Sequence, residues 1–168
     1  DGLCFCLGDG RTVLHDTKVG ERWGHHFAET GDQWSHEIFR RAAQNMEHLI
    51  ASGVDPLRCV CERGLAKGLP VYPTLLVNQG GGESYSADTR TSDFWVKNTH
   101  LQIGTKTTPA STLPPWFSQE SAGRCMDFMH AEVREERFAL VQETLENYDC
   151  AGIELQLNYQ AHYFHPSE

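Results

Sequence analysis

The chain has 168 residues, 39% of them hydrophobic and 22% charged, with a formal net charge of −9. Those proportions belong to a soluble globular protein with one modest core. The longest apolar run is too short to span a bilayer, and the Lys and Arg residues are scattered and outnumbered, so neither a membrane nor a nucleic acid is an expected partner.

The sequence begins at Asp1 and stops at Glu168 just after an aromatic run, which reads as a fragment or processed piece. No signal-peptide pattern opens it, but in a cut chain that leaves secreted and cytoplasmic locations both open. An acidic balance is compatible with neutral substrates such as sugars.

In chain order, residues 3–7 (LCFCL) read as a strand ending at the turn signal Gly8-Asp9-Gly10. Val13-Leu14-His15 reads as a short second strand, a hairpin partner of the first. Val19 to Asp32 has neither helical nor strand period and reads as loop. A helix is predicted from about Trp34 to Ser52, with Ile38, Ala42, Met46, Leu49 and Ile50 at helical spacing and Gly53 as the stop. Asp55-Pro56 reads as an N-cap followed by proline at the first helical position, opening a second helix that runs to about Lys67.

Leu69 to Val77 follows as an apolar strand, with Pro70 and Pro73 expected near its start. Residues 78–122 form a long Gly-, Ser-, Thr- and Pro-rich connection with one helical turn around Ser92–Asn98; connections this long are usually functional or disordered. Met126-Asp127-Phe128 reads as another short strand. A helix over Ala131–Tyr148 places Val133, Arg137, Leu140, Val141, Thr144, Leu145 and Tyr148 on or near one face, with Glu132 at the positive end of its dipole. The segment 151–157 closes the series as a strand with Glu154 and Gln156 on one face and Ile153, Leu155 and Leu157 on the other.

Six cysteines are present, Cys4, Cys6, Cys59, Cys61, Cys125 and Cys150. Neither C-x-C pair has the spacing of a structural zinc site, so buried free thiols are the leading expectation, disulfides the next and metal the last. His25-His26 and His162-x-x-His165 show no acidic or Cys partner at ligand spacing and read as structural or surface groups. Gly80-Gly81-Gly82 lacks the Lys-Ser/Thr of a phosphate loop. No cofactor and no metal are expected.

Alternating strands and helices form the pattern of parallel α/β architecture, in which functional groups gather at the C-terminal ends of strands. By position alone, that rule selects Asn78, Asp127, His130, Glu154 and Gln156.

The stretch DFMHAEVREERFALVQETLENYDCAGIELQLNY resembles a segment of glycosyl-hydrolase-like (β/α)8 barrels. In these a strand ends in Asp-Phe, His-Pro-Glu-Val-Arg opens a helix, and Tyr-Asp-x-Asp-Gly-Ile-Glu-Leu-Asp closes the next strand. The pieces GDGRTVLHDTKVGERWG and FWVKNTHLQIG are similar to loops of the uncharacterised family-10-like glycosyl hydrolases. Asp127, His130, Glu132, Val133, Arg134, Tyr148, Asp149, Gly152, Ile153, Glu154 and Leu155 match the pattern. Ala131, Ala151 and Gln156 depart from it, standing where the family has Pro, Asp and Asp.

The resemblance implies a partial (β/α)8 barrel, since a complete one takes roughly 200–250 residues. Its remaining strands are expected beyond Glu168, or a second copy covers the open edges. It also implies carbohydrate chemistry: hydrolysis of O-glycosidic bonds in an oligo- or polysaccharide by the complete barrel. The alternatives are a catalytically disabled carbohydrate-binding barrel and an inactive structural fragment.

Glycoside hydrolysis ordinarily takes two carboxyl groups, about 5–5.5 Å apart for retention or about 6.5–9.5 Å for inversion. Asp127 and Glu154 are the catalytic pair this sequence offers, with Asn78, His130 and Gln156 as substrate-binding groups. Gln156 can bond a sugar hydroxyl but cannot attack or carry a proton as an acid. Competing readings stay open: Glu154 as an interior acid paired with Arg134 or another cation, Asp127 as a helix cap, His130 as a helix-start hydrogen-bonder, Asn78 as a turn group. Among the tryptophans, Trp95 and Trp116 are the expected sugar-stacking platforms, ahead of Trp23 and Trp34.

Overall fold

A computed structural model describes residues 1–26, 37–80, 90–104, 122–158 and 162–166. Trp34, Trp116 and the triple glycine beyond Gly80 lie outside the described residues. The architecture is mixed α/β. Three parallel strands, β1 (Leu3–Cys6), β2 (Val71–Leu76) and β3 (Glu154–Gln156), form a sheet in the order β1-β2-β3. Helices α1 (Glu37–Ala51) and α2 (Pro56–Ala66) precede β2; the short α3 (Asp93–Lys97) and the longer α4 (Ala131–Asn147) precede β3.

Side chains alternate across the sheet. Phe5, Leu7, Val71, Leu75 and Ile153 turn to one face, where Leu57 and Cys61 of α2 and Leu140 and Tyr148 at α4 pack on them. Both crossovers therefore cover the same face. Gly64 lets α2 approach β2 closely, because a Cβ there would meet Val71 Cγ2 at 2.3 Å. A second cluster gathers Trp95, Leu101, Met126 and Val133 beneath α4.

Local chemistry explains the helix ends. Asp55 accepts from Leu57 N at 3.0 Å and Pro56 opens α2, as the sequence predicts. Gly68 follows with φ +68°, a conformation that stops a helix without strain. Ser92 caps α3 by accepting from Trp95 N. Arg137 on the predicted face of α4 is indeed buried, and its guanidinium donates to Gly10 O at 2.6 Å.

Several expectations are corrected. Val13–His15 is no strand: Val13 makes isolated bridges to Gly8 and Arg22. Met126–Phe128 is likewise outside the parallel sheet, with a single antiparallel bridge from Met126 to Gln102. Pro73 sits inside β2, opposite Phe5, rather than near its start. Odd-numbered β2 residues face β3, as the bonds from Val77 N to Gln156 O and from Ala151 N to Val71 O show. Pro73 has no N–H to donate toward β3, so regular pairing begins only at Thr74↔Glu154 and β3 is shorter than the predicted 151–157.

The apolar stripe of α1 marks the helix correctly but misplaces its buried side. Ala43 and Met46 are buried, whereas Ile38 is 70% exposed. Helix α1 packs against α2, and none of its described residues joins the cluster on the sheet. Leu145 on α4 and Leu155 and Leu157 at β3 are exposed as well, because among the described residues β3 is an edge without a fourth strand.

Candidate ligand site at the strand ends

The C-terminal ends of the three strands surround a pocket of about 320 Å³. Cys6 and Gly8 come from the end of β1, Leu76 and Gln79 from the end of β2, and Gln156 from β3; Asp9, Leu14, Trp23 and Arg90 complete the lining. A turn over residues 8–13 makes one wall. Gly8 is required there, since a Cβ would fall 2.0 Å from Thr12 O.

Asp9 organises that wall. Its Oδ1 accepts from Arg11 N, Thr12 N and Thr12 Oγ1 at 3.1–3.3 Å, and its Oδ2 accepts from Arg11 Nη2 at 3.0 Å. Arg90 Nε stands 3.6 Å from the same carboxylate and its guanidinium lies 4.8 Å from the Phe39 ring centre. The Asp9 charge is thus balanced, and the pocket lining carries one carboxylate against one guanidinium, Arg90. Gln79 is buried, yet its Oε1 finds no hydrogen-bond partner among the described residues, and neither does Trp23 Nε1. A buried acceptor and a buried donor left unpaired beside a pocket are the groups a polar ligand can satisfy.

Of the sequence candidates, Gln156 reaches this pocket. Glu154 lies on the same open sheet face, in one cross-strand row with Cys6 and Thr74, and accepts from Thr74 Oγ1 at 2.7 Å. It is exposed and makes no pair with Arg134, which instead donates to the carbonyls of Phe128 and Met129. The Cys4 thiol nearby is pushed up by desolvation first and by the Glu154 carboxylate second.

Asn78 is fully buried with its amide committed to backbone, donating to Met126 O and His162 O and accepting from Met126 N. Asp127, also buried, closes a turn by accepting from Met129 N at 2.9 Å, one step ahead of the helix rather than as its cap. His130 holds the N-cap position of α4 without a side-chain bond. Asp127 and Glu154 therefore occupy different settings. Glu154 is level with Thr74 inside the sheet, whereas Asp127 follows the Met126 backbone held by Asn78, past the end of β2.

Trp95, expected as a stacking platform, is 1% exposed and packed in the second cluster, with Nε1 donating to Arg124 O at 3.0 Å. A sugar needs an open ring face, and Trp95 offers none. Among the described residues Trp23 is the tryptophan at the pocket, and Asp9, Gln79 and Arg90 are lining residues that the sequence reading passed over. Asp9 and Gln79 had a signal: each lies three residues beyond the C-terminal end of a strand. Trp23 and Arg90 arrive from loops and had none.

A further pocket of about 330 Å³ lies between Asp16, Lys18, Asp55, Arg58, Glu143 and Tyr148. Its polar groups largely satisfy one another: Tyr148 donates to Asp55 at 2.6 Å, and Glu143 accepts from Thr17 Oγ1 and Lys18 N. Comparison with models of protein families finds no match, and comparison with curated proteins finds no relative.

Proposed function

We propose that this chain is the carbohydrate-recognising part of a glycosyl-hydrolase-like (β/α) barrel, holding a neutral sugar at the C-terminal ends of its strands. The observation that carries this reading is the unpaired Gln79 Oε1 in a nearly neutral pocket shared with Gln156 and Trp23. Amides offer a donor and an acceptor on one side chain, which matches the vicinal hydroxyls of a sugar. An indole supplies apolar surface and one N–H. Two further observations support the barrel: strands paired in chain order, and both crossovers on the same sheet face, as consecutive barrel units are arranged rather than the two-sided cover of a doubly wound sheet.

Recognition is preferred to hydrolysis by this segment because Asp127 and Glu154 stand at different levels, Asp9 is held by two arginines, and Gln156 is no acid. Hydrolysis by a complete barrel remains the second reading, supported by the Asp9 carboxylate at the pocket wall. Calorimetric titration with a panel of neutral oligosaccharides tests the first. Binding that weakens roughly tenfold in Gln79→Ala and Gln156→Ala, one to two lost hydrogen bonds, supports it. Absence of binding across the panel, or binding unaffected by both changes, defeats it. Release of reducing sugar by the native protein, abolished by Asp9→Asn in a variant that still folds, establishes the second reading instead.

A further inference from the structure

We infer that Glu21, His26 and Asp93 form a divalent-cation site. One ligand atom from each can be chosen so that all three lie within 4.8 Å of one another. His26 Nε2 stands 3.4 Å from Glu21 Oε2 and 3.0 Å from Asp93 Oδ1. Ligands roughly 2.1 Å from one ion are separated by about 3.0–3.4 Å when they occupy neighbouring octahedral or tetrahedral positions. Both distances to His26 are already those of neighbouring ligands in a coordination shell. Sequence spacing hid it, because Asp93 joins the pair from a distant loop.

The groups are also oriented. Both oxygens of Glu21 accept backbone N–H groups, Oε2 from Asp93 at 2.8 Å and Oε1 from Phe94 at 3.3 Å, which fixes the carboxylate and leaves lone pairs toward His26. Asp93 Oδ2 is taken by Lys97 Nζ, so Oδ1 is the oxygen turned to the cluster. Partners of this kind hold ligating carboxylates in place at metal sites. Two carboxylates and an imidazole suit a first-row divalent ion that accepts mixed nitrogen and oxygen donors, and three protein ligands leave positions for water.

The location gives the ion a consequence. Residues 21–23 are pinned to Val13 by the bonds from Val13 N to Glu21 O and from Trp23 N to Val13 O. Asp93 follows Arg90 by three positions, and Trp23 and Arg90 both line the pocket at the strand ends. An ion bridging Glu21, His26 and Asp93 ties together the two loops that bring those side chains there. The cation site does not depend on what the pocket binds.

Mn²⁺ is the probe of choice, since six free thiols compete for softer ions. Titration into chelator-treated protein, followed by calorimetry and by thermal midpoint, is expected to show saturable binding of a single ion that raises the midpoint. Asp93→Asn keeps the shape and an acceptor for His26, and Glu21→Gln keeps an acceptor for the α3 N–H groups. Each is expected to weaken Mn²⁺ roughly tenfold or more, with circular dichroism confirming the fold, while His48→Ala on α1 leaves binding unchanged. No binding of Mn²⁺, Zn²⁺ or Co²⁺ by the unaltered protein overturns the inference. So does wild-type affinity in whichever of the two variants folds.

Discussion

Asn78 grips the backbone of Met126 from both sides, its Nδ2 donating to Met126 O at 2.8 Å and its Oδ1 accepting from Met126 N at 3.1 Å. The amide thereby does for Met126 what a neighbouring strand does, at the point where β2 has ended. The same Nδ2 donates to His162 O, so one side chain joins three distant segments. Asn78→Ala leaves a buried N–H and two carbonyls without their partner. It is expected to cost about 1–3 kcal/mol in a urea unfolding experiment. A change within error would return Asn78 to the pool of ligand-binding candidates.

Trp95 makes the contrasting case of a residue nominated for binding and found in the core. Its indole is buried among Leu101, Met126 and Val133, and the Arg137 guanidinium lies 5.8 Å from its ring centre. Trp95→Ala is expected to lower stability by about 3–5 kcal/mol, as a large aromatic removed from a packed site does. Sugar affinity of the fraction that stays folded should not change. Loss of affinity at unchanged stability, measured by titration beside urea unfolding, would instead make Trp95 a binding residue.

Stability should also depend on His15. The ring is fully buried, its Nε2 stands 3.8 Å from Glu143 Oε2, beyond ordinary hydrogen-bond length, and Tyr148 packs edge-on at 5.7 Å. Burial lowers its pKa, outweighing the pull of Asp55, Glu143 and Asp16 in the other direction. The folded state therefore binds this proton less readily than the unfolded chain, whose histidine titrates near 6.5. Its contribution is complete above that pH and is lost as pH falls from about 6.5 toward the lower folded value. Urea midpoints should decline across that window more steeply than in His15→Phe. Identical profiles for the two proteins would refute the assignment.

Thiol reactivity separates the six cysteines, all of them free. Desolvation pushes Cys61 up to about 11 and Cys125 up to about 12, and both are buried. Cys4, Cys6 and Cys59 are exposed, against the expectation of buried thiols. Alkylation followed by peptide mass mapping should mark those three first and reach Cys61 and Cys125 only on unfolding. Early labelling of Cys125 would mean that its surroundings open readily.

What the sequence determined by itself was whatever depends on neighbours along the chain. The Asp55-Pro56 cap, the Gly68 stop, the Ser92 turn and the length of α4 are local signals, and each is where the residues placed it. The alternation that puts Glu154 and Gln156 on one face of β3 is equally local, because side chains in a strand must alternate. Tertiary structure decided which faces are covered. Ile38 and Leu155 look like core in sequence and are exposed, since burial depends on whether another element arrives over them. Pro73 shows the same limit: its effect on β3 exists only once the two strands are adjacent.

The candidate sites divide along that line too. Gln156 was legible because it ends a strand, whereas Trp23 and Arg90 meet it only through loops that fold back over the strand ends. His26 had no acid at ligand spacing in the sequence, yet α3 brings Asp93 to within 3.0 Å of it, fixed by the grip of Glu21 on the first backbone N–H groups of that helix. Contacts between residues distant in sequence are set by where a chain turns and what it packs against, and no local pattern encodes them.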